Sequence, residues 1–351
     1  MSKFWSKLAS GLEPYVPGEQ LNDKKYIKLN TNENPYPPSP RVIEAIKSAA
    51  NETLKLYPDP SGEALKAALA KAYGMNKNQV FLGNGSDEVL AFSFMAFFNQ
   101  DETVLFPDIT YSFYPVYANI FKIKYSSVPV NDDFSLPAEQ FYNAEGGVII
   151  PNPNAPTARA LPLADIEKII KNNSNKAVII DEAYVDFGAE SAVELIDKYP
   201  NLLVIQTLSK SRSLAGLRVG WAFGSPELIE GLNRVKDSIN SYTLDRVALA
   251  GAVAAIEDAD YFNETRKKIM TTRDNTVERL KGLGFNVIPS SSNFIFMTHS
   301  SVPAEEIFIK LKQEAVLVRY FKKPRIDNYL RVSIGSDVEM DALIISLKKI
   351  L

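Results

Sequence analysis

The chain has 351 residues, 46% of them hydrophobic, with 39 Lys and Arg against 42 Asp and Glu, a formal net charge of -3 and no cysteine. That length and apolar content suffice for a sizeable core and two domains, the charge balance argues against a nucleic-acid partner, and the absent cysteines exclude disulfides and thiolate metal sites. No signal peptide and no apolar run of membrane-crossing length is legible, so a cytoplasmic protein without a membrane partner is expected.

The first thirty or so residues, carrying Pro14, Pro17 and Gly18, read as an arm lying over a partner or as a frayed terminus. Residues 1–44 are expected to supply this arm and a segment of a smaller domain. A large α/β domain is expected over residues 45–245. Apolar runs at 80–82, 103–106, 147–150, 177–180, 202–205 and 219–223 alternate there with amphipathic stretches such as 163–171, which predicts a mostly parallel sheet. From 246 to 351 the pattern changes to a long helix, strands at 285–288, 293–297, 316–319 and 329–334, and a helix over 303–312. This reads as a smaller α+β domain. The single histidine, His299, reads as a loop or surface residue, so no metal or histidine-dyad chemistry is expected.

Four elements in this order carry chemistry. After the strand at 80–82 comes Gly83-Asn84-Gly85-Ser86-Asp87-Glu88 and then a helical run. Glycines let the backbone approach a ligand, Ser86 is placed to cap, and free amides at a helix N-terminus favour a phosphate. Second, Phe106-Pro107-Asp108-Ile109-Thr110-Tyr111 puts a flat ring, Tyr111, in the loop after a strand, where it can stack on an aromatic ligand. Third, the strand at 177–180 ends in Asp181-Glu182-Ala183-Tyr184. Fourth, the strand at 202–205 leads into Thr207-Leu208-Ser209-Lys210, with Arg218 eight residues on. An amine at the carboxyl edge of an α/β sheet can form a Schiff base with an aldehyde cofactor. Pyridoxal phosphate is the implied aldehyde. It needs a carboxylate opposite its ring nitrogen, for which Asp181 is the candidate, and Tyr184 is placed to donate to its phenolate oxygen. Arg319 and Arg331 stand at corresponding positions of two small-domain strands and offer planar forks for carboxylate or phosphate.

This order of motifs resembles the fold type I pyridoxal-phosphate enzymes, the aminotransferases of classes I and II, and within them the histidinol-phosphate aminotransferase branch. The resemblance runs through Pro14-Tyr15-Val16-Pro17-Gly18, Asn30-Thr31-Asn32-Glu33-Asn34-Pro35, Tyr57-Pro58-Asp59-Pro60, the Gly83 turn, the Asp181 and Lys210 segments, and Tyr329-Leu330-Arg331-Val332-Ser333. It implies that Lys210 is the Schiff-base lysine and proton shuttle, with Asp181 and Tyr184 on the pyridine ring. Gly85, Ser86, Asp87, Ser209 and Arg218 are then around the phosphate, and Tyr57 reaches into the neighbouring subunit of a homodimer. Tyr15, Asn32, Arg319 and Arg331 would meet the substrates, an amino donor and a 2-oxo acid. Within the same fold, an aromatic amino-acid aminotransferase or a threonine-phosphate decarboxylase shares most of these residues. A non-catalytic pyridoxal-phosphate-binding protein is the remote alternative.

One segment departs from the family pattern. The family usually has asparagine immediately before Pro-Thr-Gly, donating to the cofactor's phenolate oxygen, whereas this chain reads Asn154-Ala155-Pro156-Thr157-Ala158. Ala155 cannot donate. Either Asn154 turns in to replace it or Tyr184 serves that oxygen alone. The glycine lost at Ala158 is expected to matter less, because the turn can be rebuilt around a residue without positive φ.

Overall fold

The structure, a computed structural model, describes residues 3–13, 19, 21 and 23–351. Strand β1 (Ile27–Lys28) crosses to the C-terminal half of the chain. The next seven are β2 (Val80–Gly83), β3 (Thr103–Pro107), β4 (Lys124–Val128), β5 (Val148–Pro151), β6 (Val178–Asp181), β7 (Leu202–Thr207) and β8 (Gly220–Gly224). They form one sheet in the order β2-β8-β7-β6-β5-β3-β4. Strand β8 is antiparallel to both neighbours, and the other pairs are parallel. Two reversals return β2 to the direction of β7, so the Gly83 turn opens on the same sheet edge as Asp181 and Lys210.

Helices cover both faces, which is why the inner strands β5, β6 and β7 run apolar up to their carboxyl ends instead of alternating. Ile180 and Val204 enter one core, while Ile179 and Ile205 enter the other. Strand β4 was not legible in the sequence. Its Lys-Tyr-Ser-Ser segment is exposed at the sheet edge, where polar side chains discourage pairing with another chain.

The smaller unit contains β9 (Phe285–Ile288), β10 (Phe294–His299), β11 (Val316–Leu317), β12 (Arg319–Tyr320) and β13 (Leu330–Ser333). Four of these form an antiparallel sheet, β12-β13-β10-β9, and β11 leaves it to pair in parallel with β1. The single strand expected over 316–319 is therefore split at Val318 between two sheets. The long helix expected from 246 is two helices. Arg246–Glu257 lies against Pro40–Ala49 and Glu63–Tyr73 and puts Ala248, Ala252 and Ala255 into the large core. Ala259–Lys281 follows, capped by the Asp258 carboxylate, and carries Ile269 and Leu280 into the core of the small sheet. On this packing we place the division between the two units near Asp258 instead of after residue 245. Among the described residues no helix is long and apolar enough to cross a membrane.

Candidate active site

A cleft of about 230 Å³ opens where the carboxyl ends of β5, β6 and β7 face the small sheet, and its walls include Asp181, Lys210, Arg218, Arg319 and Arg331. The five mutually parallel strands β3 to β7 all end at this edge, so residues distant in sequence converge there. Lys210 follows the end of β7, with Nζ 5.7 Å from the centre of the Tyr184 ring. Its carbonyl accepts from Asn34 Nδ2 at 3.0 Å, which ties the lysine loop to the segment leading in from β1. Asn32, on the same segment, donates through Nδ2 to the Tyr184 hydroxyl at 3.0 Å. Asn32 is itself fixed: its φ is 56°, its N–H donates to Ser333 Oγ at 2.8 Å, and its carbonyl accepts from Asn293 Nδ2 at 3.0 Å. An asparagine tolerates that left-handed backbone where most side chains would not.

Asp181 ends β6 with 5% of its surface exposed. The Tyr114 hydroxyl donates to Oδ2 at 2.9 Å and the Ala183 N–H to Oδ1 at 3.2 Å. Burial pushes the carboxyl up to about 6, against the pull of those two donors and of Lys210. Next to it, Glu182 points to the other side of the strand. It accepts from Ser191 Oγ and the Ala192 N–H, both at 2.6 Å, and from Gln206 Nε2 at 2.8 Å. Burial nevertheless pushes Glu182 to about 7.

The glycine-rich turn opens the helix Gly85–Phe97, whose N-cap is Asn84. Ser86 is therefore inside the first turn and does not cap, contrary to expectation. Ser86 and Asp87 nonetheless line the cleft. Close approach explains the glycines: a Cβ on Gly85 would fall 2.5 Å from Arg218 Nη2, and one on Gly220 would fall 2.4 Å from the Ser86 nitrogen. Arg218 has φ 55° and its Nη2 lies 2.9 Å from Asp87 Oδ2. The Tyr111 hydroxyl donates to the other Asp87 oxygen at 2.8 Å while its ring lines the cleft. Burial and the Asp87 charge raise the Tyr111 hydroxyl above its ordinary value, so it stays a donor. Ser209 is buried on the cleft wall, its N–H donating to Thr207 Oγ1 at 3.1 Å.

On the small sheet, β12 pairs with β13 so that Arg319 stands directly opposite Arg331. Arg331 Nη2 donates to the Asn30 carbonyl at 2.9 Å, and its guanidinium lies over the rings of Phe294 and Phe321 at 5.4 and 5.8 Å.

Several expectations need correction. Asn154 does not turn into the cleft. Its Nδ2 is fully buried and donates to the Ile109 carbonyl at 2.8 Å and to Thr157 Oγ1 at 3.1 Å, leaving Ala155 and Pro156 on the cleft wall. Ala158 keeps the left-handed backbone of the missing glycine, with φ 65°, so the turn is preserved and not rebuilt. Tyr57, expected to serve a neighbouring subunit and so not among these corrections, is 77% exposed, stacks on Tyr242 at 4.6 Å and does not line its own chain's cleft. Tyr15 lies outside the described residues. Tyr114, Asn34 and Asn293 were missed. Nothing in a single sequence marks Tyr114 as the neighbour of an aspartate 67 residues away.

The cleft suits pyridoxal phosphate on its own chemistry. Thr110 Oγ1 is buried on its wall without a hydrogen-bond partner among the described residues. The first helix turn at Ser86, the Arg218 guanidinium, an amine at Lys210 and a carboxylate at Asp181 surround the same space. The sequence profile of aminotransferase class I and II matches residues 24–347. The chain is 60% identical over 349 residues to the histidinol-phosphate aminotransferase of Clostridium acetobutylicum, covering 99% of each, and 58% identical over 351 residues to that of Clostridium botulinum strain Okra, covering 100% of this chain and 99% of the other. Among solved structures it is similar to the histidinol-phosphate aminotransferase of Sinorhizobium meliloti in complex with pyridoxal-5'-phosphate. The TM-score there is 0.88 at 26% identity, over 100% of this chain and 98% of the other. The chain is thus a member of the aminotransferase class I and II family, a pyridoxal-phosphate-dependent transferase of α/β fold type I.

Proposed function

We propose that this enzyme transfers the amino group of histidinol phosphate to 2-oxoglutarate, giving imidazole acetol phosphate and glutamate, and does so as a cytoplasmic homodimer. The observation that carries the substrate reading is the pairing of Arg319 with Arg331 across the cleft from Lys210. A phosphate or carboxylate entering the cleft would meet both guanidinium groups and gain charge-assisted hydrogen bonds from them. The names of the relatives fit a substrate that carries phosphate.

Ser209, Arg218 and the first-turn amides of Gly85–Phe97 would hold the cofactor's phosphate, and Asp181 its ring nitrogen. Pyridoxal phosphate, when bound, supplies a protonated ring that accepts the charge left by loss of the substrate's α proton. Lys210 Nζ removes that proton from the α-carbon and later returns one, acting as the general base and acid. Tyr184, whose hydroxyl accepts from Asn32, would donate to the cofactor's phenolate oxygen. With Ala155 in the wall, no side-chain amide at that position shares this work.

For the dimer, Tyr57 and Tyr242 stand with Leu54, Leu56 and Ile239 among the exposed large apolar side chains. A second copy covering them would bring the Tyr57 hydroxyl to the partner's phosphate site. Comparison of kcat/KM for histidinol phosphate, phenylalanine and threonine phosphate tests the substrate reading. A preference of roughly a hundredfold or more for histidinol phosphate is expected, on the scale of lost buried ion pairing. Equal use of phenylalanine, or carbon dioxide release from threonine phosphate, would overturn it.

A further inference from the structure

One oxygen of Asp181 is held by a side chain that does not line the cleft. Tyr114 sits in the helix Phe113–Phe121, is fully buried, and places its hydroxyl 2.9 Å from Asp181 Oδ2. Its ring is held by Phe94 at 6.4 Å, Phe106 at 5.9 Å and Tyr111 edge-on at 5.8 Å, so the hydroxyl has little freedom to turn elsewhere. The Ala183 N–H holds the other oxygen. A carboxylate gripped this way keeps one orientation toward the cleft.

We propose that Tyr114 is a positioning residue for catalysis: its hydroxyl holds Asp181 both in place and in the ionised form that the cofactor's ring nitrogen requires. The inference deepens the proposed function and rests on Asp181 facing that nitrogen. A phenol that donates to a carboxylate stabilises the ionised carboxylate and does nothing for the protonated one. Burial drives the Tyr114 hydroxyl well above its ordinary value, so it remains a donor at every working pH. The other groups that act on Asp181 pull in both directions. Lys210 favours its ionised form and Asp87 opposes it, while Tyr111 and Tyr117 stay neutral because burial raises both. Among side chains, the largest pull against burial comes from Tyr114.

The alternative is a core tyrosine whose hydroxyl merely found the nearest acceptor. The two differ in what Tyr114→Phe does to Asp181 itself. In cofactor-free protein labelled with 13C-aspartate, the Asp181 resonance, assigned by its loss in Asp181→Asn, should titrate near pH 6 in the wild type. In Tyr114→Phe the midpoint should rise by about one to two units. In the loaded enzyme kcat should fall about tenfold near neutrality with KM little changed, and the acid limb of the pH profile should move up with the titration. Replacing Tyr114 by 4-aminophenylalanine, which keeps the ring and a donor, should return the midpoint toward the wild-type value; this variant also decides the matter if Tyr114→Phe does not fold. In the Asp181→Asn background, Tyr114→Phe should cost no further rate. An unmoved midpoint, or a rate loss that simply multiplies in that background, overturns the inference. Full activity of Asp181→Asn alone would instead overturn the role given to Asp181.

Discussion

Arg218 Nη2 and Asp87 Oδ2 meet at 2.9 Å across the opening of the phosphate cradle, and Tyr111 binds the second oxygen of the same carboxylate at 2.8 Å. The pair is only half-buried, so its own contribution to stability is small. Its consequence is geometric. Asp87 holds the guanidinium against Gly85, where a phosphate at the helix N-terminus would meet it. Arg218→Ala is expected to weaken pyridoxal-phosphate affinity by about 1.5–3 kcal/mol, roughly ten- to a hundredfold, with Arg218→Lys recovering part of the loss. Equilibrium titration of cofactor-free protein measures it, and unchanged affinity would mean that Arg218 serves only Asp87.

Lys210 is expected to carry the cofactor covalently. Borohydride reduction of the loaded enzyme followed by peptide mapping should place the pyridoxyl group on Lys210 and on no other lysine. Lys210→Ala should still bind pyridoxal phosphate while losing transamination by several orders of magnitude, because one substitution removes both the nucleophile and the proton carrier.

Much of this site was legible because its residues sit at strand ends. An apolar run followed by Asp181, or by Ser209 and Lys210, announces both the strand and the edge on which it terminates. What escaped was pairing at a distance. Strand β4 has no apolar pattern because an edge strand is solvated, and the break at Val318 depends on β1, nearly three hundred residues earlier, taking β11 as partner. Asn154 was misjudged for a similar reason. Its sequence position suited the cleft, but the buried carbonyl of Ile109 lacked another donor and claimed the amide.

Glu182 makes stability depend on pH. Its folded value is about 7 against an ordinary 4.5 and burial is the first cause, so the folded state binds the proton more tightly than the unfolded one. The sign follows: the stabilisation is fully present below about 4.5 and is lost as pH rises through about 7. Across that window the wild type should lose roughly 3 kcal/mol relative to Glu182→Gln. Urea unfolding of both proteins at the two ends of the window measures it. Parallel stability curves would show that Ser191, Ala192 and Gln206 keep Glu182 ionised.

Arg325 joins the two units at the cleft rim. Its Nη1 lies 3.0 Å from Asp108 Oδ2 and its Nη2 donates to the Val130 carbonyl at 2.7 Å. It belongs to the segment between β12 and β13 that also carries Phe321, a wall of the cleft. Arg325→Ala should therefore raise KM for the phosphate-bearing substrate several-fold, about 1 kcal/mol, while leaving kcat within about twofold. A fall in kcat at unchanged KM would place its effect on the chemistry instead of on the rim.

The last expectation concerns the partner subunit. Tyr57 is exposed beside Tyr242 and is absent from the walls of its own cleft, and its carbonyl is held by Arg246 Nη2 at 2.8 Å. A hydroxyl presented so far from its own cofactor site has a catalytic use only in a neighbouring chain. In a dimer with shared sites, a Lys210→Ala chain still offers a good Tyr57, and a Tyr57→Ala chain still offers a good Lys210. Each mixed dimer then contains one site with both residues intact and one with neither. Dissociating the two inactive variants, mixing them in equal amounts and reassociating them should recover up to about a quarter of wild-type activity, since half the dimers are mixed and half of their sites are whole. Recovery should rise with the fraction of mixed dimers, measured by native mass spectrometry. Mixed dimers that form without any gain in activity would confine Tyr57 to a structural role at the surface.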